Sequence, residues 1–163
     1  VEAAITFLRK KGLAKADKKS DRQTGDGSVG TYIHAGNKLG VMVELNCETD
    51  FVANTPDFQE LVRDIAMHIA AAKPRFATRE EVTQEILDKE KEIAAHQAKE
   101  SGKPDNIVEK IVSGKMEKFY EENCVLEQPF IKDTNITVQE LIKQKIALLG
   151  ENINIGNFAR FEV

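Results

Sequence analysis

The sequence is poor in the residues that build metal centres and disulfide frameworks. Its 163 residues include two cysteines, Cys47 and Cys124, which lie far apart and have no histidine near them at the spacing of zinc ligands. We therefore expect no metal site, and we expect both thiols to be reduced and buried as small apolar groups. The sequence does not exclude a disulfide between them, but two cysteines do not make the dense framework of a secreted domain.

Long apolar segments and a surplus of positive charge are also missing. The longest apolar runs are far shorter than the roughly 20 residues that a membrane-spanning helix requires. The formal net charge of -4 argues against a nucleic-acid-binding protein, which would gather basic residues on one face. Residues 1–22 are locally basic, and we interpret them as a solvated helix flank and linker or as a contact for an acidic partner. The sequence thus predicts neither a membrane nor a direct nucleic-acid partner.

The residues needed for enzyme chemistry do not form a consistent arrangement. The sequence contains neither a glycine-rich phosphate loop nor a histidine pair at metal-binding spacing. One nucleophilic arrangement can be drawn, with Cys47 activated by His34 or His68 and oriented by Asp50. However, Cys47 falls on the apolar face of a predicted strand, where a thiol stays protonated and unreactive. We therefore expect a protein that is not an enzyme and that needs no cofactor.

The most informative segment is an amphipathic strand that leads into a polar tip. Alternate positions of this strand are apolar, as in a strand with one buried face, and they are Leu39, Val41, Val43, Leu45 and Cys47. The alternation stops at Thr49, and Asp50 and Phe51 follow in a short link. Thr55 and Pro56 then predict the start of a helix, because a capping hydroxyl precedes a proline in the first turn. A carboxylate and a phenyl ring are thus expected at the end of a rigid element.

Two side chains near this tip each have two interpretations. From geometry alone, the favoured interpretation of Phe51 is a ring that folds back and plugs the hydrophobic core, and the other is an exposed ring. His68 lies at the border of the apolar stripe of the helix predicted over 56–72, next in azimuth to Leu61. A lone histidine in such a place is usually a half-buried packing residue, and the alternative is a position at the surface.

The remaining signals predict an α+β protein with a small, mostly antiparallel three-stranded sheet packed by helices. The predicted elements are a helix over 1–13 that Gly12 ends, a hairpin of 28–34 with 39–47, a helix over 56–72, a helical hairpin over 79–122, an extended segment over 125–131, a helix that starts at Thr137 and a strand that ends at Val163. The two charged helices within 79–122 can each bury only a narrow seam. We therefore expect them to form an antiparallel hairpin that projects from the core.

Capping residues and breakers set several of these boundaries. Thr78 with Glu81, and Thr137 with Glu140, have the spacing of capping boxes. Pro129 has no amide donor, which confines the extended segment to the edge of the sheet. The last helix would turn its apolar side chains inward and stop at a glycine, and these residues are Val138, Leu141, Ile142, Leu148 and Gly150.

Several tracts, in the same order along the chain, resemble the translation elongation factor Ts family. They are EAAITFLRKKGLAKADKK near the amino end, HAGNKLGVMVEL followed by NCETDFVA, then AMHIAAAKP, SGKPDNIVEKIVSGKMEKFYEE, GENINI and the closing RFEV. Together these tracts cover nearly the whole chain, so the similarity does not rest on one short motif.

The resemblance implies a guanine-nucleotide exchange factor that promotes GDP release from elongation factor Tu. It implies that Asp50 and Phe51 reach the partner's GTP-binding domain near the Mg²⁺ site, where Phe51 wedges between side chains. It also raises the possibility that His68 lies at the surface that meets the partner's third domain. The residues that the resemblance assigns to partner binding are Leu39, Gly40, Thr49, Asp50, Phe51, Val52 and His68.

The resemblance also implies how the chain is organised. The family's amino-terminal helical module would be reduced to a remnant helix at 1–13, which a linker at 14–27 joins to a core over 28–163. A single copy of NCETDFVA is similar to the short forms that pair two chains, so we expect a homodimer joined through the sheet. Bacterial cytoplasm, or the matrix or stroma of an organelle, would suit such a protein. The alternative is a structural or ribosome-associated scaffold that retains the fold without the exchange activity.

Overall fold

The computed structural model describes residues 1–163, and the chain divides into two compact units, Val1–Lys73 with Pro129–Val163, and Pro74–Gln128. The helices are α1 (Glu2–Asp17), α2 (Asp50–Ala53), α3 (Pro56–Ala72), α4 (Gln84–Glu100), α5 (Asp105–Asn123) and α6 (Val138–Leu149). The strands are β1 (Asp26–Ile33), β2 (Leu39–Cys47), β3 (Pro129–Phe130), β4 (Asp133–Thr137) and β5 (Asn154–Glu162). The predicted α+β class is confirmed.

The main sheet of the first unit has three antiparallel strands in the order β1, β2, β5. β1 and β2 pair from Asp26 opposite Cys47 to Ile33 opposite Gly40, which confirms the predicted hairpin. β5 pairs with the other side of β2, so the predicted final strand is also confirmed. One face of the sheet is buried, and its central positions are Val41, Val43, Leu45 and Cys47. This strand order places β2 in the middle of the sheet, between β1 and β5.

Helix α3 packs on the buried face of this sheet. It starts as predicted, because Pro56 lies in the first turn and Thr55 Oγ1 accepts a hydrogen bond from the Phe58 N–H at 3.3 Å. A Cβ added to Gly30 of β1 would lie 2.0 Å from Val62 Cγ1. Only glycine therefore lets α3 approach β1 this closely.

The first helix is longer than predicted, and the linker is correspondingly shorter. α1 passes through Gly12 and ends at Asp17, while β1 already begins at Asp26. A glycine inside a helix costs only about 1 kcal/mol relative to alanine. Because the second half of α1 packs against α6, where Ala16 is buried, this packing outweighs the cost at Gly12.

Helix α6 begins and ends as the sequence predicts. Thr137 Oγ1 accepts from the Glu140 N–H at 3.2 Å, Glu140 Oε2 accepts from the Thr137 N–H at 3.0 Å, and Gly150 follows the last turn in the left-handed conformation with φ 82°. The inward position predicted for Leu148 is wrong, because this side chain is exposed. It lies two residues after the buried Ile146, which turns it about 200° around the helix axis.

The prediction that residues 125–131 form an edge of the main sheet is wrong. Val125–Glu127 form a single 3-10 turn, and β3 pairs with β4 in a separate two-stranded sheet. β4 was not predicted because its five residues, DTNIT, lack an apolar alternation. Its pairing depends on the neighbouring β3 and not on a pattern of its own.

The second unit is built on α4 and α5, which pack against each other as the predicted antiparallel hairpin. Lys115 of α5 donates a hydrogen bond to Gln97 Oε1 of α4 at 2.5 Å. The buried cluster near the base of the hairpin contains Val82, Met116, Phe119 and Cys124. Both helices are rich in charge, and no helix of the molecule combines the length and the apolar character needed to cross a membrane.

The start of α4 differs from the prediction. Thr83 Oγ1, and not Thr78, caps the helix by accepting from the Ile86 N–H at 3.4 Å. The Thr78 and Glu81 spacing leads instead into a single 3-10 turn, in which Glu81 Oε2 accepts from the Ala77 N–H at 2.9 Å. The glutamate that would complete the capping box is thus used to close a turn before the helix.

Candidate functional site

The end of β2 carries an exposed aromatic ring on a short helix. Thr49–Ala53, which we call the tip, contains α2 as a single helical turn where an irregular link was predicted. Ala53 is buried, whereas the Phe51 side chain is 83% exposed. The interpretation of Phe51 as a core plug is therefore wrong. Asp50 is exposed beside it, and Val52 is half-buried.

Hydrogen bonds hold the backbone of the tip at both of its ends. The Thr49 carbonyl accepts from the Ala53 N–H at 3.2 Å and from Cys47 Sγ at 3.2 Å. The Ala53 carbonyl accepts from Gln59 Nε2 of α3 at 2.7 Å. The exposed phenyl ring therefore projects from a backbone that is tied to both β2 and α3.

The thiol closest to the tip, that of Cys47, is buried and has a raised pKa. Both cysteines are free and buried, as predicted. Burial raises the pKa of the Cys47 thiol, and the nearby Glu151 carboxylate raises it further. Burial likewise raises the pKa of Cys124, to about 11. The nucleophilic arrangement considered around Cys47 is therefore unfavourable, since its sulfur stays protonated at neutral pH.

Leu39 and Gly40 lie at the opposite end of β2 from the tip. Both are half-buried, and nine residues of strand separate the two ends by roughly 25–30 Å. Gly40 leaves a shallow hollow on the sheet, which Ile33, Met42 and Phe161 line. The predicted site residues therefore form two separate surfaces and not one patch.

The surface position considered for His68 is wrong. Its side chain is 0% exposed, and Nδ1 accepts a hydrogen bond from the Ile131 N–H at 3.3 Å. The ring of Phe130 lies against it, with the two ring centroids 6.1 Å apart. The segment that begins with β3 thus covers this side of α3. Because the sequence pattern assigned that segment to the main sheet, this cover was not predicted.

Comparison with known proteins decides the family. The family model described as elongation factor TS matches residues 15–163. Elongation factor Ts of Koribacter versatilis (strain Ellin345) is 60% identical over 163 residues, which is 100% of this chain and 74% of that protein. The chain belongs to the elongation factor Ts family. Elongation factor Ts of Geotalea uraniireducens (strain Rf4) is 59% identical over 98% of this chain and 74% of that protein. That of Moorella thermoacetica (strain ATCC 39073 / JCM 9320) is 55% identical over 100% of this chain and 80% of that protein.

Membership in the elongation factor Ts family confirms the resemblance carried by the sequence tracts and assigns the chain to the translation elongation factors. The structure also shows two residues near the tip that the sequence did not predict as part of the site, Glu151 and Asn152. Thr49 Oγ1 donates a hydrogen bond to Glu151 Oε1 at 2.6 Å, and the Asn152 N–H donates to Glu48 Oε1 at 2.8 Å. Glu151 and Asn152 belong to the GENINI tract, which contributes to the family resemblance but by itself indicates no contact with the tip.

Proposed function

We propose that this chain is a guanine-nucleotide exchange factor that promotes GDP release from elongation factor Tu during translation elongation. The observation that carries the proposal is the Phe51 ring, 83% exposed on a backbone held at both ends, in a chain of the elongation factor Ts family. An exposed aromatic side chain on a fixed backbone is suited to insertion into a partner, because little conformational entropy is lost on binding.

The proposed mechanism is differential binding and not bond making. An exchange factor that binds only a distorted form of the partner's nucleotide site weakens the binding of nucleotide to the partner. By thermodynamic linkage, bound nucleotide weakens the binding of the exchange factor by the same factor. Phe51 would wedge between side chains of the GTP-binding domain near the Mg²⁺ site, with Asp50 beside it and with Thr49 and Val52 supporting the turn. The chain is accordingly proposed to act by protein–protein contact, without a cofactor of its own.

One ring cannot supply the whole effect. Burying a phenyl side chain contributes about 1.5–3 kcal/mol, whereas shifting an equilibrium from 1:99 to 99:1 requires about 5.5 kcal/mol. We therefore assign a second contact to the other end of β2, at Leu39 and Gly40. The separation of roughly 25–30 Å along the nine-residue strand suits a partner with more than one domain. The buried His68 is not part of this contact.

The open face of the main sheet supports a homodimer. The strand residues that point away from α3 include exposed apolar side chains, which are Val29, Ile33, Met42 and Phe161. We call these four residues the open-face patch. A contiguous exposed apolar patch of this kind marks an interaction surface. A second copy of this chain fits it, because the same patch on both partners is self-complementary around a twofold axis. Such a dimer would cover the hollow beside Gly40, so we place the second contact with elongation factor Tu at the rim of the patch, where β2 begins with Leu39 and Gly40.

The bacterial origin of the relatives named above supports a cytoplasmic location for this exchange function.

The experiment that tests the proposed function measures release of labelled GDP from purified elongation factor Tu in an excess of unlabelled GDP. We expect the release rate to rise with the concentration of the chain and then to saturate. An unchanged release rate, at concentrations where the chain demonstrably binds elongation factor Tu, would contradict exchange and favour a scaffold role.

A further inference from the structure

One side-chain interaction continues the pairing of β2 with β5 beyond the last paired residues. The final backbone pair joins Asn46 to Asn154. Three residues further towards the tip, and in the same register, Thr49 Oγ1 lies 2.6 Å from Glu151 Oε1 and 3.2 Å from Glu151 Oε2. A hydroxyl donating to a carboxylate is a charge-assisted hydrogen bond, which is stronger than a bond between neutral groups. This contact fixes the first residue of the tip to the loop before β5.

The loop that carries Glu151 is itself held in place. The Asn152 side chain is buried, and its Nδ2 donates to the carbonyl oxygens of Ser20 at 3.2 Å and Arg22 at 2.9 Å. Its backbone N–H donates to Glu48 Oε1 at 2.8 Å, and Arg22 Nη1 lies 3.5 Å from the same oxygen. Glu151 therefore projects from a backbone with several fixed neighbours and can impose its position on what it binds.

Thr49 uses its side chain in an unusual way for its place in the fold. It is the residue before the first turn of α2, where a threonine hydroxyl commonly accepts a hydrogen bond from the helix backbone. No such bond forms here, and the hydroxyl is directed to Glu151. An isolated turn of helix is unstable, because nucleation costs more than one turn returns. The orientation of α2 must therefore depend on side-chain contacts. Glu151 and Cys47 bind Thr49 at the first end, and Gln59 binds the Ala53 carbonyl at the last. Asn54 and Thr55 donate to the Asp50 and Val52 carbonyls, which leaves Glu151 as the contact that holds the Thr49 side chain.

We propose that Glu151 is a positioning residue that acts through Thr49 to hold the Phe51 ring in the direction required for entry into the partner. This inference rests on the proposed function of Phe51. Glu151 needs no contact with the partner in this account. A variant without the Glu151 carboxylate still has the Phe51 ring, but α2 is free to reorient. The ring then enters the partner less often in the productive direction.

The first test measures the tip in the isolated chain. The sequence has no tryptophan and two tyrosines, so Phe51→Trp introduces a single tryptophan at the tip, which is excited at a wavelength that tyrosine does not absorb. In this background we expect Thr49→Val and Glu151→Ala each to increase the fast local component of the fluorescence anisotropy decay. Glu151→Gln retains an acceptor oxygen and should preserve the slow decay. The matched control is Glu92→Ala, which removes an exposed carboxylate from α4 and should change nothing.

The second test measures GDP release from elongation factor Tu. We expect Glu151→Ala to slow the stimulated release about fivefold, the effect of losing one side-chain hydrogen bond, and Glu151→Gln to restore most of the rate. In a Phe51→Ala background, Glu151→Ala should cause no further loss. The thermal midpoint of each variant is measured in parallel and shows whether the variant is folded at the assay temperature.

The outcomes separate this inference from the proposed function. Equal slowing by Glu151→Ala with and without Phe51 would overturn the positioning role, because Glu151 would then act independently of the ring. An anisotropy decay unaffected by Glu151→Ala would overturn it as well. Unchanged release in Phe51→Ala alone would instead overturn the proposed role of Phe51, whatever the anisotropy shows about the tip.

Discussion

At the scale of single residues, Phe51 and His68 show opposite uses of a ring. Phe51 is 83% exposed and contributes little to the packing of its own chain, whereas His68 is fully buried between α3 and the segment that starts with β3. The apolar periodicity of α3 places His68 only at the border of its buried stripe. The contact that buries it comes from residues 63 positions further along the chain, which a local pattern cannot reveal.

We predict that His68→Ala destabilises the fold. The substitution leaves a cavity beside Phe130 and removes the acceptor of the Ile131 N–H, so the free energy of unfolding should fall by about 2–4 kcal/mol. Chemical denaturation measures this change. The exposed His96 of α4 offers a matched control, since His96→Ala should change the free energy of unfolding by about 0.5 kcal/mol or less. Equal effects of the two substitutions would contradict the buried position of His68.

We predict that both thiols resist alkylation in the native protein. Burial raises the pKa of Cys124 from an ordinary value of 9.0 to about 11 and also raises that of Cys47, so both remain neutral at pH 8. In the unfolded chain the Cys124 thiol ionises near pH 9, whereas in the folded chain it keeps its proton until about pH 11. The free energy of unfolding should therefore fall as the pH rises from about 9 through 11. Mass spectrometry after iodoacetamide treatment at pH 8 should show labelling only in denaturant. Rapid labelling of the folded chain would argue against the buried sites.

At the scale of elements, the parts predicted correctly are those with a complete local signal. Pro56 after Thr55 defines the start of α3, the Thr137 and Glu140 pair defines the start of α6, and Gly150 defines its end. The parts that were missed depend on distant contacts. β4 exists through its pairing with β3, and α2 is a single turn whose ends are tied to other segments.

The same limit applies to the candidate site. The tract that contains Asp50 and Phe51 could be found from the sequence because a strand pattern ends there and because the tract resembles a known family. The contact between Thr49 and Glu151 joins residues 102 positions apart, and no spacing rule links them. Only the pairing of β2 with β5 brings the GENINI tract to the tip.

We predict that the capping box of α6 is a measurable part of its stability. Thr137→Ala removes the acceptor for the Glu140 N–H and should lower the free energy of unfolding by about 1 kcal/mol. Thr134→Ala is the matched control, because this threonine is exposed on β4 and caps no helix. Urea denaturation of both variants provides the comparison. A loss as large in Thr134→Ala as in Thr137→Ala would contradict a specific capping effect.

At the scale of the whole molecule, the main sheet has one face covered by α3 and one face that carries the open-face patch. We predict that Met42→Glu, which places a charge in the centre of the patch, converts the proposed dimer into a monomer. A carboxylate buried between two copies would lack a compensating partner. Light scattering at micromolar concentration measures the mass.

Leu148→Glu is the matched control for this change, since it places the same charge on an exposed leucine of α6 that is outside the patch. It should leave the dimer mass unchanged. A monomer mass for the unmodified chain would contradict the proposed dimer directly, and an unchanged dimer in Met42→Glu would exclude the open face as its interface.

The central claim is that the exposed Phe51 ring promotes nucleotide release. The most direct test compares the rate of GDP release from elongation factor Tu in the presence of Phe51→Ala with the rate in the presence of the unmodified chain. Because the lost burial amounts to about 1.5–3 kcal/mol, we predict release slower by roughly ten- to a hundredfold. The thermal midpoint should stay nearly unchanged because the ring is exposed, and Ile93→Ala, which truncates an exposed isoleucine of α4, should affect neither quantity. Undiminished release by Phe51→Ala, or slower release that a large drop in the thermal midpoint explains, would contradict the account.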